Sequence, residues 1–208
     1  ADLATYFLQI RPGTNVAVLN MIAHYIIKEG LVNKDFIDTH TEKYEEFKSH
    51  VEHLDMEELE TLTGVSKELV REAAIAYASA ERAMEFHGLG VTEHFQGSKT
   101  VMLLSNLAMM TGNVGRKGVG LNPLRGQNNV QGSADMGVQP HQGAGYMDVS
   151  KPDIQQYYAQ KYGIEKMPES TGLKIPEMLD AAINGKIKAL YIMGEDTIMT
   201  DPNSYHSI

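Results

Sequence analysis

One arginine stands apart in the middle of this chain. Arg125 is the only charged side chain between Lys117 and Asp135, and its neighbours are mostly glycine, asparagine and glutamine. A guanidinium in such a setting is suited to grip a small carboxylate or oxyanion through two parallel hydrogen bonds. The same group could instead tie its own loop to a backbone carbonyl or to a distant acid. The residue types alone leave both interpretations open.

The segment around Arg125, residues 111–146, is rich in glycine. It holds nine of the 19 glycines of the chain, shows neither helical nor strand periodicity, and is interrupted by Pro123 and Pro140. The sequence therefore predicts a long irregular loop, and such loops inside a domain are usually functional or disordered. Low charge and interspersed apolar residues favour a buried loop whose backbone approaches a large polar ligand where no β-carbon intervenes. A long surface loop is the alternative.

The elements that would position this loop follow an α/β pattern. Runs of β-branched, aromatic or continuous apolar residues predict strands at residues 5–10, 83–87 and 188–193. Apolar residues spaced by three and four predict helices between them, which begin near Thr14, Ser66 and Lys99. Alternating strands and helices are typical of a mostly parallel sheet flanked by helices. We therefore expect residues 1–208 to form a single α/β domain.

Loops at the carboxyl ends of parallel strands are the first candidates for a ligand site, because α/β folds bind their ligands there. In this chain we expect the loops after Phe86, Met110 and Met193 to converge on one large polar ligand. The first of them, residues 88–93, reads G-L-G-V-T-E. It lacks the third glycine of the dinucleotide fingerprint and is weak evidence for NAD.

Composition limits the classes of function. The net charge is -9 and no basic cluster is present, so nucleic acid is not an expected partner. No apolar run approaches the length of a membrane span and no signal peptide opens the chain, which predicts a cytoplasmic protein. The absence of cysteine excludes thiolate metal sites and iron–sulfur ligation within these residues. The chain opens at Ala1 without an initiator methionine, which indicates a piece of a longer protein.

Three stretches resemble one enzyme family. Residues 122–132 read N-P-L-R-G-Q-N-N-V-Q-G and closely resemble the active-site segment of the catalytic (alpha) subunit of molybdenum- or tungsten-dependent formate dehydrogenases. Residues 88–92 (G-L-G-V-T) and 191–196 (Y-I-M-G-E-D) agree in order and spacing, and the resemblance runs across essentially the whole chain. It implies a molybdopterin oxidoreductase. It also implies that this chain is the third domain of the enzyme, a Rossmann-like unit that holds one of two pterin guanine dinucleotides.

The resemblance also implies roles for single positions. Arg125 matches the arginine that lies beside the metal and orients formate, and no metal ligand is implied in this segment. The implied cofactor contacts are Leu89, Glu93, Gln127, Gly194, Glu195, Asp196 and Thr200. Glu93 departs from the family, which often has glutamine there, and a carboxylate beside an anionic cofactor puts that contact in doubt. Asp196 would accept paired N–H bonds from a guanine edge.

A reaction and further parts of an enzyme follow from the same resemblance. The parent protein would oxidise formate to CO2 at a molybdenum or tungsten bis(molybdopterin guanine dinucleotide) centre and pass electrons to a 4Fe-4S cluster in an upstream domain. The cysteine or selenocysteine metal ligand also lies upstream, and the expected partners are other domains of the same chain and an iron–sulfur subunit. The fragment alone should be inactive. The alternatives are a nitrate reductase-like molybdopterin oxidoreductase and a non-catalytic Rossmann-like binding module.

Overall fold

A computed structural model describes residues 2–201 and 203–207 and divides the chain into two compact units. The first unit, Ala1–Gly126, contains α1 (Asn15–Lys28), α2 (Lys34–His40), α3 (Tyr44–Glu52), α4 (Met56–Thr63), α5 (Lys67–Ser79), β1 (Met84–His87), α6 (Leu89–Thr92), α7 (Gly97–Met110) and β2 (Gly120–Pro123). The second unit, Gln127–Ile208, contains α8 (Val130–Asp135), β3 (Gln142–Gly143), β4 (Met147–Asp148), α9 (Pro152–Tyr162), α10 (Ile175–Ile183), α11 (Thr197–Thr200) and α12 (Ser204–Ser207). Among the described residues, no helix has the length and apolar character that crossing a membrane requires.

Helix α1 lies at the centre of the core of the first unit. The side chains of Met21, Ala23 and Ile26 are fully buried in an apolar cluster that also contains Val51 of α3 and Val70 of α5. A helix with apolar residues on most of its circumference is expected to be surrounded by other elements. The helix predicted to begin near Thr14 is thus confirmed, and it is the element on which the others pack.

The predicted starts of the other two helices are also confirmed. The Ser66 side chain accepts the Leu69 N–H at 3.2 Å, as expected of a residue that caps a helix, and α5 then runs to Ser79. Helix α7 begins at Gly97, slightly before the predicted start at Lys99, and ends at Met110 as predicted. Both helices contribute buried residues to the cluster around α1. The helical half of the fold therefore follows from local sequence signals.

The sheet of the first unit differs from the prediction in its second strand. Residues 83–87 were predicted as a strand, and β1 confirms this. Its parallel partner is β2, in register from Met84 opposite Gly120 to His87 opposite Pro123. Because β2 lies within residues 111–146, the prediction that this whole segment is irregular was wrong. Pairing with a distant strand supplies structure that local periodicity does not show, and Pro123 is tolerated because β2 is an edge strand of this two-stranded sheet.

Two predicted strands are not strands. Residues 5–10 pack Leu8 and Ile10 on the helical cluster, and the following Arg11 N–H donates to the Thr63 carbonyl at 2.9 Å instead of to a strand. Residues 188–193 form no ladder either, and the described strands of the second unit, β3 and β4, pair antiparallel with each other. An apolar run becomes a strand only where a neighbouring edge accepts its backbone groups. The α/β class with a parallel sheet is confirmed, but the parallel sheet is small.

Candidate active site at the carboxyl edge of the parallel strands

Strands β1 and β2 end side by side because they are parallel and in register, with His87 opposite Pro123. The ladder continues for one more step, since the Leu124 N–H donates to the His87 carbonyl at 2.7 Å. The turn at Gly88 and the loop at Leu124 therefore lie next to each other. We call residues 87–89 together with residues 123–126 the carboxyl edge. Such edges are where α/β folds bind their ligands.

Arg125 lies on the carboxyl edge, two residues beyond the end of β2, and its side chain is exposed. A guanidinium keeps its positive charge at any physiological pH and carries five donors in a fixed plane. The edge therefore presents a permanent cation to an incoming anion. Gln127, two residues further on, is the first residue of the second unit, and its side chain is exposed as well.

Leu89 and Glu93 lie at the two ends of the short helix that follows β1. A β-carbon built on Gly126 would lie 2.7 Å from the Leu89 Cδ1 atom, so the leucine methyl group occupies the space beside Gly126. The Glu93 N–H donates to the Leu89 carbonyl at 2.8 Å, and the Glu93 side chain is exposed. The structure thus brings Leu89 next to the residue that follows Arg125. Glu93 lies one helical turn further along the chain.

In the second unit, three of the implied cofactor contacts come together at α11. The Asp196 side chain accepts the Met199 N–H at 3.3 Å and caps the helix. The Thr200 hydroxyl donates to the Glu195 carboxylate and to the Asp196 carbonyl. Gly194 precedes this group with a φ of +70°, a conformation that favours glycine. A carboxylate has about four acceptor sites, so capping leaves Asp196 with the capacity to bind a further donor.

Strand β1 carries a buried acid, Glu85, that was not among the predicted site residues. Strand alternation places Glu85 and His87 on the same face, and the Tyr77 hydroxyl of α5 donates to one Glu85 oxygen while the other oxygen is buried. Burial raises the pKa of Glu85 to about 7, although the bond from Tyr77 lowers it in part. Burial also raises the pKa of Tyr77. The alternation M-E-F-H, with an ionisable residue at every second position, was the available signal.

Asn113 was also missed, and it fastens the start of the glycine-rich segment to β1. Its side chain is 2% exposed, accepts the Ala83 N–H at 3.1 Å just before the strand, and donates to the Thr111 hydroxyl at 2.9 Å. The Arg116 guanidinium donates to the same Asn113 oxygen at 3.4 Å and to the Gly112 carbonyl at 3.2 Å. These bonds hold the chain between α7 and β2 against the start of β1. They help to explain why β2 pairs with β1.

Several known proteins are similar to this chain in sequence over nearly its full length. The protein named formate dehydrogenase H of Escherichia coli (strain K12) is 43% identical over 201 residues, which are 97% of this chain and 28% of that protein. F420-dependent formate dehydrogenase 1 subunit alpha of Methanococcus maripaludis is 44% identical over 206 residues, 99% of this chain and 30% of that protein. The chain thus spans less than a third of the length of these relatives.

One solved structure and one family model resemble this chain. Acetylene hydratase from Pelobacter acetylenicus has a TM-score of 0.52 at 22% identity, covering 56% of this chain and 16% of that one. At this identity the likeness shows a shared fold and nothing finer. A family model described as molybdopterin oxidoreductase matches residues 3–207, nearly the full length. The chain therefore belongs to the molybdopterin oxidoreductase family.

Proposed function

We propose that this chain is one domain of a formate dehydrogenase, in which Arg125 binds the carboxylate of formate. The observation that carries the proposal is the place of Arg125, an exposed cation on the carboxyl edge of a parallel strand pair. Relatives that share 43% and 44% of their aligned residues with this chain are named formate dehydrogenases. The chain covers only 28% and 30% of those proteins, so the activity belongs to the proposal and would require the longer protein.

Each unit, taken by itself, carries groups that suit part of a large anionic cofactor, with one exception. A β-carbon built on Gly90 or on Gly194 would meet no other atom within 4 Å, which leaves room for a ligand to approach the backbone there. The Gln127 amide and the backbone N–H groups supply donors for phosphate and ring oxygens, and Asp196 supplies an acceptor for a purine N–H edge. The Glu93 carboxylate is the exception, because it would repel a phosphate.

On this proposal the cofactor is a bis(molybdopterin guanine dinucleotide) of molybdenum or tungsten. The bound metal centre would accept the electrons of the reaction. Leu89, Gln127, Gly194, Glu195, Asp196 and Thr200 would contact the pterin guanine dinucleotide, and the 4Fe-4S cluster and the metal ligand would lie outside this segment. An iron–sulfur electron-transfer subunit is a proposed partner. The cytoplasmic location stays a prediction.

The chemistry explains why an arginine is needed. Formate, HCOO⁻, becomes CO2 by releasing a proton and two electrons, and the bond that breaks is its single C–H bond. A one-carbon substrate offers almost no apolar surface, so its carboxylate is the only group by which it can be held. Two parallel hydrogen bonds from Arg125 would fix both carboxylate oxygens and leave the C–H bond pointing away from the guanidinium. Orientation of this kind lowers the barrier without any bond to the substrate carbon.

The proposal is tested in a full-length protein that carries this segment, expressed with molybdate or tungstate. We expect formate-dependent reduction of an artificial dye and no oxidation of the reduced dye by nitrate. Nitrate-dependent oxidation without formate activity would support the nitrate reductase-like alternative. A protein that contains neither pterin nor metal and has neither activity would support the non-catalytic binding module. Either result would contradict the proposed function.

A further inference from the structure

The backbone on both sides of Arg125 rests on the turn that follows β1. On one side, the Leu124 N–H donates to the His87 carbonyl at 2.7 Å. On the other side, the Leu89 side chain lies so close to Gly126 that an added β-carbon would meet the Leu89 Cδ1 atom at 2.7 Å. Arg125 itself lies between these two contacts. Its backbone position is therefore determined by the turn and not only by its own strand.

The two contacts differ in kind and in how a substitution can change them. The bond to His87 joins backbone atoms, so it is present whatever the side chains are. The contact at Gly126 depends on the Leu89 side chain, and a leucine shortened to alanine would no longer reach it. Leu89 is 41% exposed, so its burial contributes modestly to the stability of the unit. A side chain that matters little for stability and touches the neighbour of a candidate catalytic residue is suited to a positioning role.

We propose that Leu89 is a positioning residue that holds the backbone at Gly126 and thereby fixes the direction of the Arg125 guanidinium. This inference rests on the proposed function in so far as the fixed guanidinium is the group that binds formate. It differs from the cofactor contact that the family resemblance implies for Leu89. If Leu89 contacts the cofactor, its substitution should lower the pterin content. If Leu89 is a positioning residue, the pterin content should be unchanged and formate should be bound less well.

A first test needs neither cofactor nor formate. Trypsin cleaves after arginine, so the bond between Arg125 and Gly126 reports how freely this backbone opens. In the 208-residue chain we expect Leu89→Ala to speed cleavage at this bond about 3- to 10-fold, while cleavage after Arg116 stays unchanged as the internal reference. Leu89→Met should behave as wild type, because the flexible methionine side chain fills the same space. Equal acceleration at both sites, or none at either, would overturn the proposal.

A second test uses the close approach itself. Gly126→Ala places a methyl group 2.7 Å from the Leu89 Cδ1 atom, which is too close, and in the Leu89→Ala background that clash is absent. The accelerated cleavage caused by Gly126→Ala should therefore be about 3- to 10-fold smaller in the Leu89→Ala background than in wild type, as expected for residues in direct contact. Effects that simply multiply would show that the two residues are not coupled and would contradict the positioning role.

In the full-length enzyme the same variants separate this proposal from the proposed function. We expect Leu89→Ala to keep its pterin and metal content and to lose about 10-fold in kcat/KM for formate, with Leu89→Met restoring most of the loss. Loss of pterin in Leu89→Ala would assign Leu89 to the cofactor and overturn the positioning role. A wild-type enzyme that does not oxidise formate would defeat the proposed function, while the cleavage tests would still decide whether Leu89 holds this backbone.

Discussion

At the centre of the first unit the side chains of Met21, Ile26 and Val70 are completely buried, whereas Leu124 and Arg125 on the carboxyl edge are exposed. The helical core contributes the apolar burial that stabilises this unit. The edge contributes little burial, although it is held in place by backbone pairing and by the contacts of the turn. Residues that a fold positions but does not bury are available to a ligand. We therefore expect substitutions in the helical core to lower stability and substitutions on the carboxyl edge to weaken ligand binding.

The largest effect on stability should come from the core. Met21→Ala would remove a fully buried side chain from α1 and leave a cavity among Val51, Val70 and their neighbours. We expect the free energy of unfolding to fall by about 2–5 kcal/mol, measured by urea denaturation of the 208-residue chain. Leu124→Ala on the edge is the matched control and should cost well under half as much. Equal losses would contradict the contrast between the two regions.

The buried acid Glu85 should make stability depend on pH. Its pKa is about 7 in the folded protein and near 4.5 when exposed, so the folded state keeps a proton that the unfolded state releases between these values. Stability should therefore decline as the pH rises from about 5 to 8, by roughly 2–3 kcal/mol from this group. Urea denaturation at the two pH values measures the decline. In Glu85→Gln, which cannot titrate, most of this decline should be absent.

The control for this prediction is Glu93→Gln on the exposed end of α6. It replaces a carboxylate in the same way but without burial, so it shows what the loss of an exposed negative charge alone does to stability. Glu85→Gln should also be more stable than the wild type at pH 8, because a neutral side chain then replaces a buried charge. A Glu85→Gln profile as steep as the wild-type profile would show that other groups cause the dependence.

A smaller effect is expected at the start of α5. Ser66 accepts the Leu69 N–H at 3.2 Å, and Ser66→Ala would leave that donor without its cap. We expect a loss of about 1 kcal/mol in the free energy of unfolding. Ser79→Ala at the other end of the same helix is the control and should change stability by less than about 0.5 kcal/mol. If both variants lost the same amount, the cap would not be the cause.

Local signals in the sequence account for the helical core but not for the carboxyl edge. The stripe of α1 and the Ser66 cap are local, and both were predicted correctly. Strand β2 was missed because its structure comes from pairing with β1, more than thirty residues away. The prediction of a strand at residues 188–193 was wrong for the opposite reason, since an apolar run does not reveal whether a neighbouring strand edge exists. Contacts between distant residues decided both cases.

At the candidate site, too, local sequence signals did not reveal contacts between distant residues. Arg125 and the implied cofactor contacts were named from residue types and family resemblance, and the structure places Leu89 beside the residue that follows Arg125. That contact could not be predicted, because it depends on the two strands ending together. The buried environment of Glu85 was equally invisible, since the hydroxyl that binds it comes from α5. The roles of Arg125 and of the implied cofactor contacts stay predictions, while the contacts of Leu89 and Glu85 became visible only in the structure.

The smallest effect on stability and the largest effect on function should coincide at Arg125. Arg125→Lys changes an exposed side chain and should alter the free energy of unfolding by less than about 0.5 kcal/mol. Lysine keeps the charge but offers no pair of parallel donors, so formate would be bound without being oriented. In the full-length enzyme, where the cofactor and the other domains would shield the site from water, the lost interaction is worth about 2–4 kcal/mol, or roughly 30- to 1000-fold in rate.

The most direct test of the central claim is formate-dependent dye reduction by a full-length enzyme that carries Arg125→Lys. Arg82→Lys is the matched control, because Arg82 is an exposed arginine just before the opposite end of β1. We predict that both variants keep their metal and pterin, that Arg82→Lys retains the wild-type kcat/KM, and that Arg125→Lys loses roughly 30- to 1000-fold. Equal activity in the two variants, or loss of cofactor as the sole cause of the Arg125→Lys defect, would contradict the claim that Arg125 orients formate.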